Sequence, residues 1–134
     1  MRIDAIVFDC RDAAPLARFW AEALGWEIGA YDEAELDRLA AKGVYDPEDD
    51  PSVMLEPPEE TDLPVIYFTE VPEDKVVKNR VHLDLEAAED VEEEVERLEA
   101  LGARLRNWTE DDGQVWAVMQ DPEGNEFCVM PPPD

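Results

Sequence analysis

Apolar and polar residues alternate along this chain with two different periods, and the change between them predicts strands interleaved with helices. In "RIDAIVFDC", residues 2–10, a period of two sets Ile6 and Phe8 on one face, as is typical of a strand. Residues 16–24 carry apolar side chains three and four positions apart, which predicts an amphipathic helix that ends at Gly25. The same periods predict strands at "WEIGA", "SVMLE", "LPVIYFTEV", "RVHLDLE", "ARLRNW", "QVWAVMQ" and "NEFCVM", and helices at about 33–42 and in "DVEEEVERLEALG".

The helical periods also predict which side chains are buried. The first helix directs Phe19 and Trp20 to the core, and the second directs Leu36 and Leu39 there. The buried stripe of the last helix is formed by Val91, Val95, Leu98 and Leu101.

An internal repeat indicates the architecture. The segment "EALG" occurs at residues 22–25 and again at 99–102, an offset of 77 that also sets Ile6 on Leu83 and Phe8 on Leu85. "VMLEP" at 53–57 resembles "VMQDP" at 118–122 with an offset of 65, and the difference, 77 − 65 = 12, predicts an insertion in the first copy. We assign it to the acidic stretch at about 31–50. The sequence therefore predicts an α+β fold of two βαβββ modules with mixed or antiparallel sheets, at about 1–72 and 78–131 of a single domain, 1–134.

Charge excludes several classes of partner. The chain has 36 acidic and 11 basic residues, a formal net charge of −25. Such a field repels phosphate backbones and anionic lipids, so we expect no nucleic-acid partner and no membrane partner. A net charge this negative is consistent with either of two explanations: it keeps the protein soluble, or it is an adaptation to a high-salt cytoplasm. No signal peptide or membrane-spanning run is recognisable, so we expect a cytoplasmic protein in which Cys10 and Cys128 are free thiols.

Three segments together resemble a known superfamily. They are "ARFWAEALGWEI", "KNRVHLDL" and "QDPEGNEFCV", and with the repeated βαβββ order they are similar to the vicinal oxygen chelate proteins. That superfamily includes glyoxalases, bleomycin-resistance proteins and extradiol dioxygenases, and this chain most resembles its small bacterial glyoxalase-like subgroup. The resemblance implies that both sheets curl around one U-shaped cleft. In enzymatic members a divalent metal binds there, through His and Glu or similar ligands from the first and last strands of each module.

The resemblance carries over only in part. His82, the single histidine, and Glu126 match the ligand positions of the second module. In the first module, the repeat offset of 77 aligns Ala5 with His82. Aligning the prolines that follow the last strand of each module, Pro72 and Pro131, aligns Tyr67 with Glu126. Alanine has no donor atom and tyrosine is a rare ligand, so two of the four expected ligands are absent and the metal site is expected to be degenerate.

Four interpretations of the His82 and Glu126 pair remain open, and in one of them the two side chains make no contact. We favour a hydrogen-bonded pair without metal, because buried polar groups need partners. A bound divalent metal is the second, and it would need a third ligand from Asp9, Asp84 or Cys128. In the third, the two residues act as a catalytic acid and base.

The cleft face predicts the ligand-binding residues. They are Val7, Asp9, Tyr67, Thr69, His82, Asp84, Trp116 and Glu126. Trp108 is an alternative to Trp116, and both tryptophans also fit ordinary sheet packing. For the basic segment "KNR" at 78–80 we favour ion pairs of Lys78 and Arg80 with nearby carboxylates over an anion-recognising rim.

Binding of an unidentified small organic molecule is the favoured function, since resistance-type relatives act by sequestration and need no metal. The first alternative is a divergent metal-dependent lyase, isomerase or dioxygenase, and the second is an interaction domain that binds a partner through its acidic insertion. Whether the chain is an enzyme stays open. Relatives often dimerise, so a homodimer is a further expectation.

Overall fold

Two four-stranded sheets organise the chain, which the computed structural model describes from residue 1 to residue 134. The chain divides into two compact units, Met1–Asp74 and Lys75–Asp134, called the first and the second half below. Each half follows the order strand, helix, three further strands. The predicted α+β fold of two βαβββ modules is thus confirmed, while their assignment to a single domain stays a prediction.

The first half is a mixed sheet covered by helix α1. Its elements are β1 (Ala5–Cys10), α1 (Ala13–Leu24), β2 (Glu27–Ile28), α2 (Glu33–Ala41), a 3₁₀ turn (Pro47–Asp49), β3 (Ser52–Glu56) and β4 (Val65–Glu70). The strand order is β1-β4-β3-β2, with β1 parallel to β4 and the other pairs antiparallel. Helix α2 and the 3₁₀ turn lie within the acidic stretch 31–50 and have no counterpart in the second half.

The second half repeats this topology without the extra helix. Its elements are β5 (Asp84–Glu86), α3 (Val91–Leu101), β6 (Arg104–Asp111), β7 (Gln114–Gln120) and β8 (Glu126–Met130). The order β5-β8-β7-β6 matches that of the first sheet, and β5 is again parallel to its neighbour. None of the helices in the chain has both the length and the apolar character that a bilayer crossing requires.

Aromatic packing fixes α1 on the first sheet. Trp20 is 1% exposed and meets Phe8 edge-on, with ring centroids 5.4 Å apart. Phe8 in turn packs against Phe68 of β4. The predicted burial of Phe19 and Trp20 is confirmed, and Cys10 is buried as well.

Short-range signals in the sequence determine where α3 begins and ends and where β8 begins. The carboxylate of Asp90 accepts hydrogen bonds from the N–H groups of Glu92 and Glu93, so α3 begins there. Gly102 ends the helix at a φ of +117°, in the left-handed region that glycine adopts most readily. In the predicted turn "DPEG", the buried carboxylate of Asp121 accepts from the backbone N–H of Glu123 and positions the chain for β8.

Two predicted core positions and the beginning of one predicted strand are wrong. Leu36 and Leu101 are 41% and 36% exposed, because each lies at the margin of its helix's apolar stripe, whereas Leu39 and Leu98 on the same helices are 2% exposed. Strand β5 begins at Asp84, so His82 precedes the strand instead of lying in it. The ladder of β5 with β8 begins at the Asp84–Cys128 pair, although β8 itself extends back to Glu126; the segment before Asp84 instead contacts β8 through a side chain, since the N–H of Asn79 donates to the Glu126 carboxylate.

Candidate functional site

One face of the second sheet is free of helix. Helix α3 packs on the face that carries Ala117 and Phe127, both buried. The opposite face, called the open face below, carries Asp84, Cys128 and Val118, which the register sets side by side on β5, β8 and β7. Because strand residues alternate between faces, the next residues along each strand on this face are also fixed, and they form two recesses.

The first recess is rich in acidic groups and is called the acidic recess. It has a volume of about 360 Å³. Its lining consists of His82, Asp84, Asp111, Asp112, Gln114, Trp116, Cys128 and Met130. Of the predicted site residues, His82, Asp84 and Trp116 therefore meet here, whereas Trp108 lies on the helix-side face, opposite Ala117 in the register.

Three donor atoms of different chemistry approach one another in the acidic recess. Nδ1 of His82 lies 3.3 Å from Oδ1 of Asp84. The thiol of Cys128 donates a hydrogen bond to the same carboxylate, and burial together with the Asp84 charge raises the pKa of this thiol. If each of the three residues offers one ligand atom, these three atoms lie within 4.8 Å of one another.

The second recess, called the basic recess, lies at the other end of the open face. It has a volume of about 340 Å³. Lys75, Val76, Val77, Lys78, Arg106, Asn107, Val118, Gln120, Glu123, Gly124 and Glu126 line it. The pairing of β6 with β7 shifts between Leu105 and Asn107, so Arg106 is the extra residue of a bulge. Bulges redirect a side chain relative to the regular pleat, and this one supplies an arginine to the recess.

Glu126 is buried, and one oxygen of its carboxylate contacts the segment that precedes β5. Its Oε1 accepts a hydrogen bond of 2.9 Å from the backbone N–H of Asn79 and lies 3.0 Å from Nζ of Lys75. Burial by itself would raise the pKa of this carboxyl, but hydrogen bonds from Asn79, Lys75 and the backbone of Glu126 itself, with the charge of Lys75, outweigh it and lower the pKa to about 2. Lys75 also donates to the Val77 carbonyl, which ties the segment down further.

The predicted hydrogen bond between His82 and Glu126 is wrong. His82 pairs with Asp84, and Glu126 pairs with Lys75 and Asn79, so each residue lines a different recess. The sequence did not predict that the segment containing Lys75 belongs to the site. This segment contacts Glu126, the residue that His82 was expected to contact.

The predicted ion pairs of the "KNR" segment are also wrong. Neither Lys78 nor Arg80 lies within ion-pair distance of a carboxylate. Lys78 instead lines the basic recess, and its positive charge acts on the Cys128 thiol in the opposite direction to that of Asp84.

The four predicted site residues of the first half share one face of the first sheet. Val7 lies opposite Tyr67 in the parallel β1–β4 register, and Asp9 lies opposite Thr69. Thr69 Oγ1 is 3.4 Å from the hydroxyl of Ser52 on β3. Their combination with the second-half residues in one cleft stays a prediction.

The strand registers correct the assumed counterpart of Glu126. Val7 pairs with Tyr67, and its repeat partner Asp84 pairs with Cys128, so Tyr67 corresponds to Cys128. Ala5 pairs with Val65, two residues earlier, and Val65 therefore corresponds to Glu126. Both first-half counterparts, Ala5 and Val65, lack a donor side chain.

Comparison with known proteins identifies the family. A sequence profile described as a glyoxalase-like domain matches residues 5–130. The chain belongs to the glyoxalase-like domain family. This membership confirms the resemblance to the vicinal oxygen chelate superfamily. Among curated proteins none matches the sequence.

Solved structures show the same fold at low sequence identity. A glyoxalase/bleomycin resistance protein/dioxygenase family enzyme from Burkholderia phytofirmans is 20% identical, with a TM-score of 0.62 over 96% of this chain and 98% of that one. A fosfomycin resistance protein from Mesorhizobium loti is 10% identical, with a TM-score of 0.63 over 98% and 92%. A lactoylglutathione lyase from Agrobacterium tumefaciens is 15% identical, with a TM-score of 0.59 over 97% and 92%.

The residues present do not fit the four-ligand metal site that the family resemblance implies. A metal at Glu126 would have to displace the ammonium of Lys75 and the N–H of Asn79 from a buried carboxylate. The matching first-half positions, Ala5 and Val65, offer no ligand. No catalytic step through a metal at that position follows from this chain.

Several residues of the two recesses were not predicted from the sequence. Asp111 and Asp112 reach the acidic recess because a tight hairpin joins β6 to β7, with positive φ at Asp112 and Gly113. The dipeptide Asp112-Gly113 is a recognisable signal for such a turn. Arg106 had no comparable signal, since the bulge that exposes it depends on strand pairing.

Proposed function

We propose that this protein binds a small organic anion in the basic recess, as a small-molecule-binding member of the glyoxalase-like family. Binding in this proposal requires neither the four-ligand metal site of metal-dependent relatives nor a chemical reaction. It names the ligand class more narrowly than the sequence did, since the sequence indicated only an organic molecule.

The observation that carries the proposal is the pair of unmatched cations in the recess. The charge of Lys75 is matched by Glu126 at 3.0 Å, whereas Lys78 and Arg106 have no ion-pair partner. The chain has 36 acidic residues against 11 basic ones, yet this recess has three basic side chains against the two carboxylates of Glu123 and Glu126, and two of the three cations form no ion pair. A guanidinium and an ammonium together suit a carboxylate or phosphate group.

The remaining walls of the recess suit the organic part of such a ligand. Val76, Val77 and Val118 supply apolar surface, while the side-chain amides of Asn107 and Gln120 supply donors and acceptors. A volume of about 340 Å³ lies at the lower end of the range of small-molecule sites. The position of Lys75 on Glu126 supports this role, because it leaves Glu126 less able to repel an incoming anion.

The test is calorimetric titration with two probes, benzoate and inorganic phosphate, in buffer freed of metal by passage over a chelating resin, so that metal cannot contribute. We expect saturable binding of at least one probe by the tag-free full chain. In the double variant Lys78→Gln/Arg106→Gln the affinity should fall at least tenfold, since both groups that pair with the anion are removed.

The matched control is Lys42→Gln/Arg104→Gln, which removes one exposed lysine and one exposed arginine outside both recesses. It makes the same change in net charge, so it corrects for long-range electrostatics. Equal weakening by both double variants, or no saturable binding of either probe, would contradict the proposal.

A further inference from the structure

The acidic recess contains a ligand set that differs from that of the family. His82 offers an imidazole nitrogen, Asp84 a carboxylate oxygen and Cys128 a sulfur, all within 4.8 Å of one another. We propose that these three residues bind a zinc-like divalent cation on the open face of the second sheet. The site shares only His82 with the family position and does not involve Glu126.

Backbone geometry presents the three ligands together. His82 lies two residues before β5 begins, and its Nδ1 is 3.3 Å from Oδ1 of Asp84, so the two side chains meet on the open face. The parallel register sets Asp84 directly opposite Cys128, and the N–H of Cys128 donates 2.9 Å to the carbonyl of Leu83 between the other two ligands. Strands β5 and β8 and the residue two positions before β5 therefore hold all three donors, without a contribution from the first half.

The donor chemistry selects the class of metal. Zinc takes imidazole, thiolate and carboxylate ligands in tetrahedral sites, and three protein ligands leave one position open for water or a small molecule. Magnesium and calcium prefer oxygen donors alone, so a site with sulfur and nitrogen discriminates against them. Binding replaces the thiol proton of Cys128 by the metal and releases that proton to solvent, with no change in oxidation state.

The surroundings favour a cation at this place. Asp111 and Asp112 line the same recess and add negative charge near the three ligands. The net charge of −25 adds a long-range attraction for cations. The recess of about 360 Å³ leaves room for the ion and for a further ligand on it.

The experiment titrates the tag-free full chain with Zn²⁺ by calorimetry and with Co²⁺ by absorption spectroscopy. We expect one Zn²⁺ per chain, and a Co²⁺ complex with the charge-transfer band of a thiolate ligand. Cys128→Ser should abolish that band, and His82→Ala and Asp84→Asn should each weaken binding at least tenfold. Circular dichroism establishes that each variant is folded.

Two controls distinguish this site from one built on the other thiol and from one at the family position. Cys10→Ser removes the other buried thiol and should leave the band unchanged. Glu126→Gln should retain Zn²⁺ and Co²⁺ binding, whereas a site of the family type would lose it. Absence of stoichiometric binding, a band that persists in Cys128→Ser, or loss of binding in Glu126→Gln alone would overturn the proposal.

The metal site and the proposed anion site can fail independently. Benzoate and phosphate are titrated in buffer freed of metal by a chelating resin, so their binding does not depend on a metal in the acidic recess. The thiolate band reports only on Cys128.

Discussion

The carboxylate of Glu126 is held by two donors from the segment that precedes β5. Asn79 contributes a backbone N–H and Lys75 an ammonium, and both reach the same oxygen of a side chain that is 8% exposed. Removing a partner from a buried charge costs more than the hydrogen bond itself, because the charge is then left without compensation. Glu126 thus links the segment before β5 to β8.

The pH dependence of stability follows from this contact. The pKa of Glu126 is lowered from its ordinary value near 4.5 to about 2 in the folded protein. The unfolded chain therefore binds more protons between these values, so the contribution is complete above about pH 5 and is lost as pH falls toward 2. It amounts to at most about 3 kcal/mol. Urea denaturation at a series of pH values measures it.

A matched pair of variants isolates the contribution of Glu126. In Glu126→Gln the free energy of unfolding should fall less steeply between pH 5 and 2 than in the unmodified chain. Glu86→Gln removes an exposed carboxylate from β5 of the same half and should retain the full slope. Equal slopes in Glu126→Gln and the unmodified protein would show that the contact with Lys75 does not stabilise the fold.

For Glu126 and Cys128, the sequence predicted the face of the strand on which each side chain lies, but not the residues that the Glu126 side chain contacts. The period of two set Glu126 and Cys128 on one face of β8, and both line recesses of the open face. The partner of Glu126 depends on the path of the segment 75–83, which has no regular secondary structure and hence no period from which to predict it.

Helix α1 is the element whose packing the sequence predicted most fully. Its apolar stripe is buried against β3 and β4, and Trp20 fills the space beside Phe8. Gly25 ends the helix at a φ of +69°, as the sequence predicted. The periodic pattern, the aromatic stripe and the terminal glycine all indicate the same helix, and such agreement between levels is typical of a well-specified element.

Truncation of Trp20 tests this packing. Trp20→Ala should lower the free energy of unfolding by about 3–5 kcal/mol, because it leaves a large cavity under α1. Trp108→Ala removes the same side chain from a position that is 42% exposed and should cost about 0.5 kcal/mol. Chemical denaturation followed by circular dichroism compares the two, and similar losses would contradict the assigned burial.

Strand pairing was predicted less well than helix packing. The similarity of "VMLEP" to "VMQDP" matched Val53 to Val118, yet Val53 is 2% exposed in the core and Val118 lines the basic recess. A shift of one residue moves every side chain of a strand to the other face, so a short sequence match cannot fix the register. The hydrogen-bonded ladder fixes it instead.

Net charge is the dominant property of the whole molecule. With 36 acidic and 11 basic residues, like-charge repulsion opposes compaction across the entire surface. The ion pairs between Arg18 and Glu48 and between Arg38 and Glu35 are partly exposed and offset only a small part of it.

Added salt should therefore stabilise the protein. Raising KCl from about 0.01 M to 1 M shortens the screening length from about 30 Å to 3 Å, which removes most of the long-range repulsion. We expect a gain of about 1 kcal/mol, equivalent to a rise in Tm of roughly 4 °C for a chain of this length. Calorimetry in KCl, with sucrose as an uncharged control, measures the effect. A lower Tm at high KCl would show that the surface ion pairs outweigh the repulsion.

The sequence by itself determined the fold class, the two modules, the acidic insertion and the buried face of α1. These follow from local periods, glycine positions and a repeat, all of which are carried by neighbouring residues. It also indicated that the family's metal ligands are incomplete, because Ala5 has no donor atom.

Only the tertiary structure decided which residues meet. The β5–β8 register brings Cys128 to Asp84, the bulge in β6 presents Arg106, and Lys75 rather than His82 reaches Glu126. The first two depend on backbone pairing whose register a single residue can reverse, and the third depends on the path of the irregular segment 75–83. The two recesses of the open face are therefore properties of the folded sheet.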